Sequence, residues 1–131
     1  MEKSPRQGTV QIALEIRKAC GISDQDAYFA FDSSKLEAGD KGVLQRVADC
    51  FESGPLAGRS MHLVGNADPR GTEEYNMVLG GARADTVKSF LHRDGLPDSR
   101  MATTSRGELD ARGTDEASWA KDRRVDLKLA K

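Results

Sequence analysis

The stretch LVGNADPRGTEEYN, residues 63–76, decides how the rest of the chain is read. The apolar run Met61-His62-Leu63-Val64-Gly65 has a strand signature and breaks at Asn66-Ala67-Asp68-Pro69-Arg70-Gly71. Pro69 presets its own backbone angle and Gly71 permits a tight turn, so the strand gives way to a loop here. A helical pattern follows from about Thr72 to Arg93. Tyr75, Val78, Leu79, Ala82, Val87, Phe90 and Leu91 form its apolar stripe, and Gly95 and Pro97 stop it. Strand, short loop and long helix make the unit on which the flanking segments are placed.

Toward the N-terminus, Ala27–Phe31 is a short aromatic-rich strand closed by the turn formers Asp32-Ser33-Ser34. Leu36, Val43, Leu44, Val47, Cys50 and Phe51 recur at helical spacing until Ser53-Gly54-Pro55. Between Thr9 and Cys20, Ile12, Ala13, Ile16 and Cys20 fit one helical face with Gly21 as the stop. Val10, Ile12, Leu14 and Ile16 also alternate like a strand, so both readings stand, with the helix preferred. Residues 1–8 read as a disordered lead, and 9–131 as a single domain. Toward the C-terminus come a strand near Met101–Ser105, a polar loop Gly107–Thr114, a helical turn Glu116–Lys121 and a half-exposed strand Arg124–Leu129. The order βαβαββ after a leading helix predicts an α+β sandwich with helices packed on one face of a mixed sheet.

A chain of 131 residues can bury a core unaided. Its net charge of −1, from 20 basic and 21 acidic residues, argues against nucleic acid, which needs a clustered basic excess. No apolar run approaches the roughly 20 residues that span a bilayer, and MEKSPRQGTV lacks the apolar core of a signal peptide. Read literally, that is a cytoplasmic chain. The expectation preferred here is a domain cut from a longer protein at an added Met1, with membrane attachment only through a segment absent from it.

Catalytic sets are not found. His62 lies in an apolar strand and His92 at a charged helix end, with no nucleophile beside either. There is no HxxxH, CxxC or Walker loop, so neither metal nor cofactor is expected. Cys20 and Cys50 read either as two buried thiols or, in an oxidising compartment, as a disulfide contributing about 3 to 4 kcal/mol.

Two features suggest binding. Asp68 in the loop can cap backbone N–H groups near a positive helix end, or meet a ligand. Gly80-Gly81 inside the long helix costs about 1 kcal/mol per residue relative to Ala. Close packing of another element is the commonest reason for such a pair. Asn76, Gly80 and Arg83 nevertheless share a face, which would suit a ligand lying across the helix. Asp68 and Arg83 are then either a surface ion pair, worth about 0 to 1 kcal/mol, or the two sides of a cleft.

The segments YFAFDSSKL (28–36), LVGNADPRGTEEYN (63–76), LGGARADTV (79–87) and WAKDRRVDL (119–127) occur in an order and spacing similar to the OmpA-like peptidoglycan-binding domain. That domain is found in OmpA, Pal and MotB proteins, and the resemblance covers Tyr28 to Leu129. The leading helix with Cys20-Gly21, and Cys50 in the next helix, look most like Pal-type members.

The resemblance implies a non-enzymatic module in the periplasm, associated with the outer membrane, that grips the meso-diaminopimelate arm of the peptidoglycan stem peptide. Asp68 would accept from its ammonium and Arg83 would hold its carboxylate through a fork of donors. Phe31-Asp32 would supply backbone N–H groups and a wall, Asn76 a pocket contact, and Arg124 the rim. In this light the Gly80 groove gains weight. The usual Gly-His-Thr-Asp is here Gly65-Asn66-Ala67-Asp68: Asn66 cannot carry a charge and Ala67 lacks a hydroxyl, so binding is expected to be retained but weakened. A Tol-type periplasmic partner using the same face is the alternative the family implies. Periplasmic residence would favour a Cys20–Cys50 bridge.

Overall fold

The computed structural model describes residues 8–32 and 38–130. Its elements are β1 (Gly8–Ile12), α1 (Leu14–Cys20), β2 (Tyr28–Phe31), α2 (Ala38–Glu52), β3 (Met61–Asn66), α3 (Glu73–Arg93), a 3-10 turn (Asp98–Arg100), β4 (Met101–Gly107), α4 (Glu116–Asp122) and β5 (Arg124–Leu129). The five strands form one mixed sheet in the order β2-β1-β5-β3-β4. β1 runs antiparallel to β2 and parallel to β5, while β3 runs antiparallel to β5 and parallel to β4.

The α+β reading holds, with one correction at the start of the chain. Thr9–Ile12 is not the first turn of a helix; it belongs to β1, and the helix begins only at Leu14. The hinge is Ala13, whose backbone is extended (φ −62°, ψ 151°). The physical reason is non-local. β1 is held on both sides, Val10 opposite Phe29 on β2 and opposite Val125 on β5. Sequence periodicity within one window cannot register a partner so distant. Residues 1–7 of the expected disordered lead lie outside the described residues, and Gly8 opens β1. Leu36, assigned to the second helix, also lies outside them.

Alternation along the strands builds the core. Val10, Ile12, Phe29, Phe31, Met61, Leu63, Val125 and Leu127 are buried. They meet Ile16 of α1, Leu44, Val47 and Phe51 of α2, and Val87 and Leu91 of α3 in one apolar cluster. α1 and α2 are joined by the Cys20–Cys50 disulfide, with a Cα–Cα distance of 5.6 Å. Gly21 closes α1 at φ 69°, a left-handed conformation that glycine adopts without strain.

α3 starts at Thr72, whose hydroxyl accepts the Tyr75 N–H at 3.1 Å, and Glu73 and Glu74 occupy its first turn. Both features suit a helix N-terminus. The helix lies directly on β3. A Cβ on Gly80 would stand 2.8 Å from the Gly65 carbonyl oxygen and overlap the Ser105 hydroxyl, and one on Gly65 would overlap the Gly80 carbonyl. Two backbones touch here, and neither position has room for a side chain. Gly81 differs: its Cβ would meet only Ser105 Cβ, at 3.8 Å.

Two predictions come from this packing. Gly80→Ala is expected to destabilise the fold by about 1 to 3 kcal/mol through overpacking. Gly81→Ala should stabilise it by about 0.5 to 1 kcal/mol, because alanine is the better helix former and space is available. Urea denaturation of the two variants checks this, and equal effects would refute the assigned contact. Cys20→Ser/Cys50→Ser should lower stability by about 3.5 to 4 kcal/mol, the loop-closure value for a link spanning 30 residues. Reductant should reproduce that loss in the unmodified chain.

Candidate functional site

The loop after β3 carries Asp68 into the interior, where it is fully buried. Its Oδ1 accepts from the Arg70 backbone N–H at 3.0 Å and from Arg70 Nε at 3.1 Å. Its Oδ2 accepts from Arg70 Nη2 at 2.8 Å and from Arg123 Nη1 at 3.0 Å. The Pro69-Arg70-Gly71 turn folds the Arg70 fork back onto the carboxylate two residues earlier, with Gly71 at φ 89°. A carboxylate engaged in this way by two guanidiniums makes charge-assisted hydrogen bonds, the strong kind.

α4 forms the outer wall. A capping box fixes its first turn, with the Ser118 N–H donating to Asp115 Oδ1 at 3.0 Å and the Asp115 N–H donating to the Ser118 hydroxyl at 3.2 Å. Glu116, Trp119 and Arg123 then fall three and four residues apart on one side. Arg123 Nη2 donates to Glu116 Oε1 at 2.7 Å, and the Arg70 guanidinium carbon stands 4.3 Å from the centre of the Trp119 ring. Burial works against the Arg123 charge. The hydrogen bonds and fields of Glu116 and Asp68 outweigh it and hold its pKa above the ordinary arginine value.

α3 contributes Arg83 and Asn76, both fully buried. Arg83 Nη1 donates to the Asn66 carbonyl at 2.9 Å, so this cation is seated on the backbone two residues before Asp68. Asn76 Nδ2 donates to the Arg70 carbonyl at 2.8 Å and to Glu108 Oε1 at 2.9 Å. The Oδ1 atoms of Asn76 and Asn66, and the Trp119 Nε1, are buried with no hydrogen-bond partner among the described residues. Each such atom costs about 1 to 3 kcal/mol while it stays unmatched. The site is thus a nest of buried charge with the spare acceptor of Asn76 beside it.

The structure brings Asp68, Arg83 and Asn76 around one loop, and it corrects the expectations for other residues. Gly80 does not floor a ligand groove; the Gly65 backbone and Ser105 fill the space beside it. Arg124 is not at the rim of this site. Its Nε donates to both oxygens of Asp126, at 3.1 and 3.2 Å, on the far side of the sheet. Arg123 takes the place assigned to it, because neighbouring residues of an extended chain point opposite ways.

The Asn66 amide also turns away, donating to the Val64 and Arg124 carbonyls and to Asp126, so Asn66 serves the site through its carbonyl. Ala67 is fully buried, and its N–H donates to the Gly107 carbonyl at 2.8 Å. The Phe31 side chain is core, edge-on to Phe90 with ring centroids 6.4 Å apart; Asp32 follows it, half-buried. Arg70, Glu116 and Trp119 were not anticipated. The available signals were the two-residue offset of Arg70 from Asp68 across a Pro-Gly turn, and the helical spacing of Glu116, Trp119 and Arg123.

The OmpA family profile matches residues 28–125. A peptidoglycan-associated lipoprotein of Pseudomonas putida is 41% identical over 104 residues, covering 77% of this chain and 60% of the relative. The outer membrane protein A of Bordetella avium is 31% identical over 129 residues, covering 97% of this chain and 63% of the relative. The chain therefore spans about three-fifths of the length of these curated relatives. Among solved structures, the peptidoglycan-associated lipoprotein of Burkholderia pseudomallei superposes with a TM-score of 0.66 at 40% identity, covering 78% of this chain and 86% of that one. The profile match across most of the chain, with relatives at this identity, establishes that the chain belongs to the OmpA family.

Proposed function

We propose that this domain binds peptidoglycan non-covalently and so tethers an envelope component to the cell wall, with the diaminopimelate arm of the stem peptide held between Asp68 and Arg83. The observation that carries the reading is the complete burial of both side chains on neighbouring elements, with Asn66 between them. Burying a charge costs several kcal/mol, and apolar packing would serve stability at least as well. Opposite charges kept in this way suit a ligand end that carries both an ammonium and a carboxylate. The buried acceptor of Asn76 would regain a partner from such a ligand's N–H groups. The peptidoglycan-associated names of the relatives point the same way.

On this reading the domain works in the periplasm in association with the outer membrane, and its role is grip rather than chemistry. The Cys20–Cys50 bridge suits an oxidising compartment. Arg70 holds Asp68 before the ligand arrives. The incoming ammonium takes over the place of its fork, and Arg70 shifts against Trp119. Asn66 and Ala67 spare the clamp, since neither side chain reaches toward Asp68.

Full burial makes alanine a poor probe, so the test uses near-isosteres. Asp68→Asn and Arg83→Gln are each expected to weaken retention on purified diaminopimelate-type sacculi by about 10- to 100-fold, the worth of charged hydrogen bonds at about 1.5 to 3 kcal/mol. Retention of Asp68→Asn equal to the unmodified chain would overturn the clamp. Trp119 is the single tryptophan. Its fluorescence should therefore change on titration with a diaminopimelate-containing stem peptide, and that change should disappear in Arg70→Ala.

A further inference from the structure

A cleft of about 730 Å³ opens on the sheet face turned away from the apolar core, outside the Asp68 site. Gln11 of β1 and Arg124, Asp126 and Lys128 of β5 form its floor. Leu14, Arg17 and Tyr28 form one wall, while the loop around Arg112 and the α4 residue Lys121 form the other. Five basic and three acidic side chains line it, in a chain whose net charge is −1.

The acids are already matched within the protein. Asp110 accepts from Arg106 Nε at 2.5 Å and Nη2 at 3.1 Å. Asp122 accepts the backbone N–H groups of Arg112 and Gly113 at 3.0 and 2.8 Å. Asp126 is paired with Arg124 at 3.1 Å. Of the bases, Arg124 is used in that pair and Arg17 binds Asp24. Arg112, Lys121 and Lys128 are exposed; Lys128 acts on Asp110 through its field alone, and none of the three side chains makes a hydrogen bond or a close ion pair with a described residue. Arg17 Nε, in the cleft wall, is buried and has no acceptor among them. The cleft therefore offers donors and positive charge that the protein does not satisfy. At one end stand two large exposed side chains, Leu14 and Tyr28, with relative exposures of 50% and 46%.

We propose that this cleft docks an extended acidic peptide segment of a protein partner. Its carboxylates meet Arg112, Lys121 and Lys128, and one apolar side chain lies on Leu14 and Tyr28. The three free cations come from a loop, a helix and a strand, so they spread along a chain rather than converge on one phosphate. The apolar pair beside them gives a peptide a second kind of contact. The adjacent residues Arg123 and Arg124 serve the two sites separately, Arg123 binding Asp68 and Arg124 flooring the cleft. Occupancy of one site leaves the other open.

The test titrates the ¹⁵N-labelled chain with a capped peptide of glutamates and one leucine, and separately with phosphatidylglycerol vesicles. Expected are amide shifts grouped at Gln11, Tyr28, Arg112 and Lys128, and an affinity that falls at least tenfold as salt rises from about 50 to 300 mM. The charge-reversed Arg112→Glu/Lys128→Glu variant, shown folded by an unchanged melting temperature, should lose at least tenfold, while Asp68→Asn and Lys128→Arg bind as the unmodified chain does. Peptide shifts centred on Arg83 and Arg123, no shifts at all, or equal binding by the charge-reversed variant overturns the proposal. Binding to vesicles without binding to peptide also overturns it and assigns the cleft to a lipid surface.

Discussion

The contact between the backbones of Gly65 and Gly80 sets the geometry of everything around it. Without side chains at either position, α3 settles directly onto β3, closer than helix and sheet pack through ordinary residues. That distance decides where the next helical turn lands. Arg83, three residues on, meets the carbonyl of Asn66, the residue after Gly65. The arginine side chain is fully buried here, with its head on the strand end. The loop that follows then carries Asp68 inward beside it.

From there the charge network grows by short steps. Arg70 returns to Asp68 across a Pro-Gly turn and lies over Trp119, while Arg123 reaches the same carboxylate from the end of α4. Loop, long helix and short helix are thus joined by charged hydrogen bonds in a region where the apolar core contributes little. A region held in this way can exchange one partner for another of like charge without repacking its neighbours. That property is more useful to a binding site than to a scaffold.

Most of the fold was legible because its signals are local. The helical stripe from Tyr75 to Leu91, the alternation of Val125 and Leu127, and the Pro69-Gly71 break each lie within one short window. β1 was misread because its identity depends on β5, a partner more than a hundred residues away, as the Thr9–Arg123 contact shows. The same limit applied to the site. Asp68, Arg83 and Asn76 stand in a recognisable stretch, whereas choosing Arg123 over Arg124 requires knowing which way the final strand faces. Gly80 illustrates a different difficulty: a glycine inside a helix announces a close approach without saying whether protein or ligand makes it.

The position of β5 has a kinetic meaning as well. Across the sheet, β2 and β1 form one pair, β3 and β4 another, and among the described strands β5 is the one that touches both. Without it the sheet is two separate pairs of strands, each with an unpaired edge. Closing a loop of such length before any reward arrives slows folding. β5 thus joins the two halves of the sheet across long separations in sequence, and while its first residue, Arg124, lines the cleft, the residue before it, Arg123, binds Asp68.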